Sequence, residues 1–327
     1  LDFYIPDRYK ECYGISTAGI DFAKEHGFSL IIALDCGIKA NDKVAYANSL
    51  GIDFIICDHH LPGDTVPAAI AVLDPKQKDC DYPYDELSGC GIGFKLVQAY
   101  CQFHQIDMDT ILPLLDLVAV SIASDIVPLT GENRTLAYFG LQQLNSNPRP
   151  GFKALMNIAA TKTDLSINEI VFAIGPRINA AGRIDDAKHA VNLLIAKDEQ
   201  SAFDFCEIVD SKNTERREFD QSITLSALQL IEENFDLHQK KSTVLFDASW
   251  HKGVIGIVAS RLIEKHYKPT IILTESNGLA AGSARSVNGF DIYEAISACS
   301  DLLIQYGGHK YAAGLTMQID QIPAFQE

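Results

Sequence analysis

The sequence predicts an α/β protein with two domains: a parallel-sheet domain and a smaller α/β domain, joined by a long connector helix. Three observations carry this. Apolar runs at 28–34, 53–57 and 69–73 alternate with helical stretches, the pattern of buried parallel strands linked by crossover helices. Residues 199–234 read as one long helix, apolar at both ends (Phe203, Cys206, Val209; Leu225, Leu228, Ile231) and polar between except for Phe219, as suits a connector. A second strand–helix alternation then starts at 242–246. The boundaries that follow are 1–198, 199–235 and 236–327.

The 327 residues, 47% of them hydrophobic, allow two sizeable cores. No apolar run approaches the roughly 20 residues that span a bilayer, and no basic-then-apolar leader opens the sequence. The chain begins at Leu1, not Met, and reads as a fragment of a longer protein. Eight cysteines (Cys12, Cys36, Cys57, Cys80, Cys90, Cys101, Cys206 and Cys299) form no C-x-x-C pair. They read as reduced packing thiols of a cytoplasmic protein, not as a disulfide frame or a zinc site. A net charge of −16 argues against a basic nucleic-acid coat. It leaves room for a nuclease with a local basic cleft, some of whose acid is metal ligand.

In order, residues 1–14 form an extended piece and a Pro/Gly-punctuated loop carrying Arg8 and Lys10. A helix over 16–26, capped at Ser16 or Thr17, stops at Gly27. The first strand ends in Asp35-Cys36-Gly37. A helix over 40–50 leads to the second strand, which ends in Asp58-His59-His60; the third ends in Asp74-Pro75. Carboxyl ends of strands are where open α/β sheets bind ligands. A lone Asp there is usually a cap or turn residue, but Asp35 together with Asp58-His59-His60 favours a metal site.

Gly89-Cys90-Gly91-Ile92-Gly93 reads as a glycine-rich turn opening a helix over 94–103; it matches a phosphate loop only loosely, and close helix–strand packing is the other use. An apolar helix over 109–124 ends in Ser124-Asp125-Ile126-Val127-Pro128, which puts an acid at a ligand position before a proline stop. Gly131-Glu132-Asn133-Arg134 opens the next helix. After the breaker Asn147-Pro148-Arg149-Pro150-Gly151, the stretch 175–183 reads as a rigid loop presenting Arg177, Asn179 and Arg183. Arginine binds phosphate bidentately; surface arginines in a turn fit the pattern equally well.

In the second domain the strand over 242–246 ends in Asp247, and His251-Lys252-Gly253-Val254-Ile255-Gly256 leads into a helix through His266. Gly282-Ser283-Ala284-Arg285-Ser286 offers hydroxyls and a guanidinium, and Gly307-Gly308-His309 reads as a sharp turn in which glycine lets a backbone approach a ligand. These read as an anion or nucleotide pocket, or as simple tight turns. Carboxylates with an imidazole suit Mn²⁺ or Mg²⁺ better than structural zinc. Hydrolysis of a phosphodiester by two such ions needs more ligands than Asp35, His59 and Asp125 supply.

The ordered set of these motifs resembles the DHH phosphoesterases and, within them, the bacterial RecJ single-stranded-DNA exonucleases. It includes Ile5-Pro6-Asp7-Arg8, Asp35-Cys36-Gly37, Asp58-His59-His60, Asp125 with Glu132-Asn133-Arg134, the 177–183 stretch, His251 to Gly256, Ser283 with Arg285, and Gly307-Gly308-His309, covering nearly the whole chain. The resemblance implies a DHH catalytic domain and a DHH-associated domain joined by a long helix, acting 5′→3′ on single-stranded DNA in repair and recombination. It implies that Asp35 bridges two Mn²⁺ or Mg²⁺ ions, that His59 and Asp125 ligate one, that Asp58 orients His59, and that His60 faces the scissile phosphate. It implies Arg8, Ser283 and Arg285 as a pocket for the 5′ phosphate end, and Arg177, Asn179, Arg183 and His309 as contacts to the strand. A monomer, with a helicase and a single-strand-binding protein as partners, completes what it implies.

Two departures qualify it. The family's first Asp-x-Asp motif would precede Leu1, and its terminal OB-fold is not seen, so residues 1–327 alone are expected to be inactive or nearly so. The alternatives are a DHH phosphatase for short oligonucleotides or nucleotides, which product length on a long 5′-labelled strand would separate, and a non-catalytic single-strand-binding scaffold, which the residues upstream of Leu1 would reveal.

Overall fold

The computed structural model describes residues 1–327 except 9, 12, 13, 161–163 and 235–238. Cys12 and the final residue of the expected connector, 235, therefore lie outside the described residues. The chain divides into two compact units, Leu1–Lys212 and Asn213–Glu327. Among the described residues no helix is long and apolar enough to cross a membrane, and the seven described cysteines are free thiols.

The first unit is built on a three-stranded parallel sheet. Helix α1 (Thr17–Glu25) starts at Ser16, whose hydroxyl accepts from the Gly19 amide, and the chain turns out of it at Gly27 with φ +72°. Strand β1 (Leu30–Leu34), helix α2 (Asn41–Ser49), strand β2 (Asp53–Cys57) and strand β3 (Ala71–Leu73) follow in the expected order. Leu30 pairs with Asp53 and Leu34 with Cys57; Ile55 pairs with Ala71. Alternation splits the sheet between two cores. Ala33, Phe54 and Ile56 pack under α1 and α2 with Ile20, Val44 and Ala47. Cys57 and the half-buried Ile55 pack the other way, against α3 (Gly89–Phe103) and α4 (Leu115–Asp125). On β1, Leu30, Ile32 and Leu34 are 42%, 45% and 56% exposed.

The glycines at 89–93 form no turn before the helix; they are its first turn, behind the Ser88 cap. Small residues there let α3 lie on the sheet: a Cβ at Gly93 would touch Leu34. The apolar stretch before Asp125 begins with two 3-10 turns, Met108–Thr110 and Leu112–Leu114, because Pro113 cannot donate to a helix ladder. Helix α4 ends where Ile126 takes φ +57°. Helix α5 (Gly131–Ser146) crosses α4 closely at Gly140, where a Cβ would lie 2.2 Å from the Leu115 carbonyl oxygen. Helix α6 (Pro150–Ile158), the short α7 (Ile167–Glu169), a π turn (Ile170–Ile174), α8 (Gly175–Ile184) and α9 (Lys188–Ile195) surround a third core, which includes Phe152, Leu155, Ile170 and Leu193.

The expected loop at 175–183 is helix α8, with Pro176 in its first turn, where a missing N–H costs nothing. Helix α10 runs unbroken over Glu199–Glu233, and the border between the two units falls inside it.

The second unit carries a five-stranded sheet ordered β4-β5-β6-β8-β7, with β4 (Thr243–Phe246), β5 (Thr270–Ser276), β6 (Leu279–Arg285), β7 (Leu303–His309) and β8 (Ala312–Met317). Helix α11 (Ile255–His266) connects β4 to β5, and α12 (Ile292–Ser297) and α13 (Ile322–Gln326) complete the unit. Only β4 and β5 pair in parallel; the rest is antiparallel. Two stretches read as a ligand pocket or as tight turns are strand. Gly282 to Arg285 lies in the middle of the sheet, and Gly307-Gly308-His309 ends β7, the hairpin turn falling one step later at Lys310-Tyr311. Gly308 has φ +145°, and a Cβ there would lie 2.4 Å from the Ala312 carbonyl oxygen, so only glycine fits.

Candidate metal centre

Three loops at the carboxyl end of the parallel sheet, and the end of α4, place the acidic and imidazole groups. Asp35 follows β1 directly and takes φ +63°, a conformation Asp tolerates better than most residues. Its amide still donates to the Cys57 carbonyl at 2.8 Å, and its carboxylate rests on Gly89.

Asp58 follows β2 and is 1% exposed. Its Oδ2 accepts from the Ile38 amide at 2.9 Å. Its Oδ1 accepts from the His59 amide at 2.8 Å, the His60 amide at 3.3 Å and His60 Nδ1–H at 2.6 Å. Burial works to raise this carboxyl, but those hydrogen bonds outweigh it and hold it at about 2. Asp58 therefore shapes the Asp-His-His turn from within and leaves Nε2 of the exposed His60 pointing away from it.

His59 is buried between three partners. Its Nδ1–H donates to the Leu87 carbonyl at 3.0 Å. Nε2 lies 3.1 Å from Asp35 Oδ1 and 3.2 Å from Asp125 Oδ2. The hydrogen bond toward Asp35 raises the imidazole above its ordinary value, against burial, and Asp125 adds to the rise. Asp125, the last residue of α4, is itself raised, first by burial.

The donor set fits a hard divalent ion. Ligand atoms about 3 Å apart form the edge of an octahedron with metal–ligand distances near 2.1 Å, and the two carboxylates meet the one imidazole nitrogen at that spacing. The Leu87 carbonyl fixes the tautomer that leaves Nε2 as ligand. Asp35, His59 and His60 each offer a ligand atom within 4.8 Å of one another, which puts His60 at the rim of the same site. No thiolate takes part: burial pushes the neighbouring Cys36 thiol up to about 11.

Sequence reasoning passed over Asp74. It follows β3 as Asp35 follows β1 and Asp58 follows β2, which was the available signal. It is 2% exposed, its Oδ1 accepts from the Lys76 amide, and its Oδ2 has no hydrogen-bond partner. Burial raises its carboxyl, and it feels the charges of Asp58 and His59.

The structure thus gathers Asp35, Asp58, His59, His60 and Asp125. The proposed substrate residues are placed differently. Arg8 is half-buried in the N-terminal segment. Arg177 is buried, its Nε donating to Asp210 Oδ1 and its Nη1 to the Ala173 carbonyl, each at 2.7 Å. Asn179 and Arg183, four residues apart, share one face of α8, and Asn179 is exposed.

In the second unit, Ser283 and Arg285 share a face of β6, with Arg285 Nη1 donating to Ser283 Oγ at 3.1 Å. Arg285 and His309 both pair with Ala312, so they stand level on either side of β8. Ser283 likewise stands level with Gly314 and, beyond it, Gly307, both exposed. A Cβ on Gly256 would lie 2.8 Å from Ser283 Oγ and 2.9 Å from Arg285 Nη2, so the start of α11 closes directly on this pair.

Comparisons with known proteins bear on this arrangement. The model of the DHH family, N-terminal domain, matches residues 1–122, and the model of the DHHA1 domain matches residues 239–327. The single-stranded-DNA-specific exonuclease RecJ of Bacillus subtilis (strain 168) is 42% identical over 99% of this chain and 40% of its own length. That of Escherichia coli (strain K12) is 36% identical over 100% of this chain and 60% of its own. The chain therefore spans about half the length of these relatives. A crystal structure of exonuclease RecJ bound to manganese superposes with a TM-score of 0.83 at 31% identity, over 99% of this chain and 80% of that one.

Proposed function

The chain belongs to the RecJ family of DHH proteins, and we propose from this that it is the catalytic portion of a metal-dependent 5′→3′ exonuclease acting on single-stranded DNA in repair and recombination. The observation that carries the reading is the meeting of Asp35, His59 and Asp125 within 3.2 Å around one imidazole nitrogen. That donor set, beside an Asp-anchored second imidazole, suits hydrolysis of a phosphodiester.

Asp35, His59 and Asp125 would hold Mn²⁺ or Mg²⁺. A bound divalent ion relieves charge on the scissile phosphate and activates a water. Asp58 keeps the turn rigid and holds Nδ1 of His60, so that Nε2–H of His60 presents a proton or a positive charge to the phosphate oxygens. Asp58 raises the His60 imidazole above its ordinary value, against burial, which favours that proton-bearing form near neutrality.

Residues 1–198 form the DHH catalytic domain, 199–235 the connector and 236–327 the DHH-associated substrate-binding domain. Arg8 of the first unit, and Ser283 and Arg285 of the second, are assigned to the 5′ phosphate, and Asn179, Arg183 and His309 to the strand; Arg177, buried on Asp210, braces α8 from within instead of meeting the strand. Binding needs no global positive charge, because the contacts are local arginines.

The test is degradation of a 5′-labelled single strand and of its duplex by the natural full-length protein, with and without Mn²⁺. Release of labelled mononucleotides from the single strand alone, abolished by Asp35→Asn, is the expected result. Labelled products of intermediate length, or turnover that persists in chelator, would refute the reading.

A further inference from the structure

The structure assigns a positioning role to Asn133, a residue of the first turn of α5 that reaches neither substrate nor any proposed ligand. Asn133 is 0% exposed. Its single amide nitrogen donates to two backbone carbonyls, that of Glu86 at 2.5 Å and that of Pro128 at 3.1 Å. These carbonyls belong to the two loops on which the metal centre depends. Glu86 precedes Leu87, whose carbonyl receives His59 Nδ1–H. Pro128 lies three residues after Asp125, beyond the left-handed Ile126. One side chain therefore ties the segment that sets the His59 tautomer to the segment that delivers the Asp125 carboxylate.

The residue type is specific. Both N–H donors of an amide are spent on two oxygens. A carboxylate of the same shape would face those oxygens with negative charge, and an alanine would take this donor from the Glu86 carbonyl and leave the Pro128 carbonyl with the Tyr84 hydroxyl alone. Tyr84 strengthens the clamp, while Glu132 on the same turn makes separate contacts. Tyr84 donates its hydroxyl to the same Pro128 carbonyl at 3.1 Å. Its ring packs on Gly131, where a Cβ would come within 2.6 Å. Glu132 binds Lys95 and the Tyr82 hydroxyl, each at 2.7 Å.

The role rests on reading Asp35, His59 and Asp125 as ligands, and two measurements keep the two claims apart. Titration of Mn²⁺ into the wild-type chain and into His59→Ala tests the ligands. Nitrogen-15 shifts of the His59 ring in the metal-free protein test the clamp. Asn133→Ala is expected to weaken Mn²⁺ binding about 10- to 100-fold, as loss of an outer-shell partner does, and to move the His59 nitrogens toward a mixture of tautomers. Glu132→Gln, on the same turn but outside the clamp, is expected to leave both readouts unchanged. Should Asn133→Ala not fold, Tyr84→Phe removes the other donor to Pro128 at the solvent side and is expected to weaken Mn²⁺ binding in the same direction. A folded Asn133→Ala, or failing that Tyr84→Phe, with wild-type Mn²⁺ affinity and wild-type His59 shifts would overturn the assignment, whatever its melting temperature.

Discussion

Gly89 carries Asp35. A Cβ on Gly89 would lie 2.2 Å from Oδ1 of Asp35 and 2.5 Å from its Cγ, so the carboxylate occupies the space a side chain would fill on the first turn of α3. Gly89→Ala is expected to push Asp35 off His59 and lower Mn²⁺ affinity by at least about 10-fold, with a loss of about 1–3 kcal/mol of stability from overpacking. Calorimetric Mn²⁺ titration and urea unfolding measure the two. Unchanged affinity would mean that Asp35 does not ligate from this position.

Protons compete with the metal. His59 and Asp125 both titrate above their ordinary values, and both must be deprotonated to act as ligands. Mn²⁺ affinity is therefore expected to be full at high pH and to fall as pH drops through the raised His59 value, which lies above 6.5. Protonation of Asp125, above 3.8, removes what remains. Titrations from about pH 8 to about pH 5.5 should show proton release on binding at the lower end, and none if His59 is not a ligand.

Asp58 and His60 link stability to pH with opposite signs. Asp58 stands at about 2 in the folded protein against 3.8 for the unconstrained group, so its contribution is present above 3.8 and is lost as pH falls toward about 2. The shift corresponds to at most on the order of 2 kcal/mol, less for the solvent reach of its exposed partner. His60, raised by the same bond, contributes stability below about 6.5 that is lost as pH rises through its folded value. Asp58→Asn is expected to flatten both limbs in unfolding curves taken across the range; an unaltered acid limb would place the acid sensitivity elsewhere.

The α4–α5 crossing depends on Gly140 having no side chain, since a Cβ would lie 2.2 Å from the Leu115 carbonyl oxygen and 2.6 Å from Ala119 Cβ. Alanine gains about 1 kcal/mol in helix propensity but must push apart helices packed on backbone. Gly140→Ala is expected to lose about 1–3 kcal/mol net in urea unfolding. A stabilised variant would mean that the helices separate at little cost.

The parallel sheet and its order were legible because apolar runs ending in Asp35 and in Asp58-His59-His60 carry their own punctuation. The convergence of Asp35, His59 and Asp125 was legible for the same reason: strand ends, and the end of one apolar helix, meet at one edge. The second unit was less so. Gly282-Ser283-Ala284-Arg285-Ser286 reads as an anion pocket or a tight turn, yet Gly282 to Arg285 is a central strand, because Ala281 and Ala284 sit in a core that small residues alone can admit. Glycine in a strand marks close packing as readily as a turn; a Cβ on Gly282 would strike Leu273 and Leu315. The 175–183 stretch misled in the same way, since Pro176 and the two flanking glycines read as breakers while Arg177 was folded into the protein by Asp210. The Asn133 clamp does not announce itself in sequence, because it depends on carbonyls supplied by two other segments, whereas Asp74 carried the same strand-end signal as Asp35 and Asp58.

Within residues 1–327, strand β1 carries an uncovered apolar face. It borders its sheet among the described residues, and Leu30, Ile32 and Leu34 face water along it. An edge of that kind is a template for another chain. Residues 1–327 in isolation are expected to self-associate reversibly as concentration rises, and Ile32→Lys to suppress this, by sedimentation velocity. If residues 1–327 self-associate as expected, the strand that leads into Asp35 also limits the concentration at which their metal binding can be titrated.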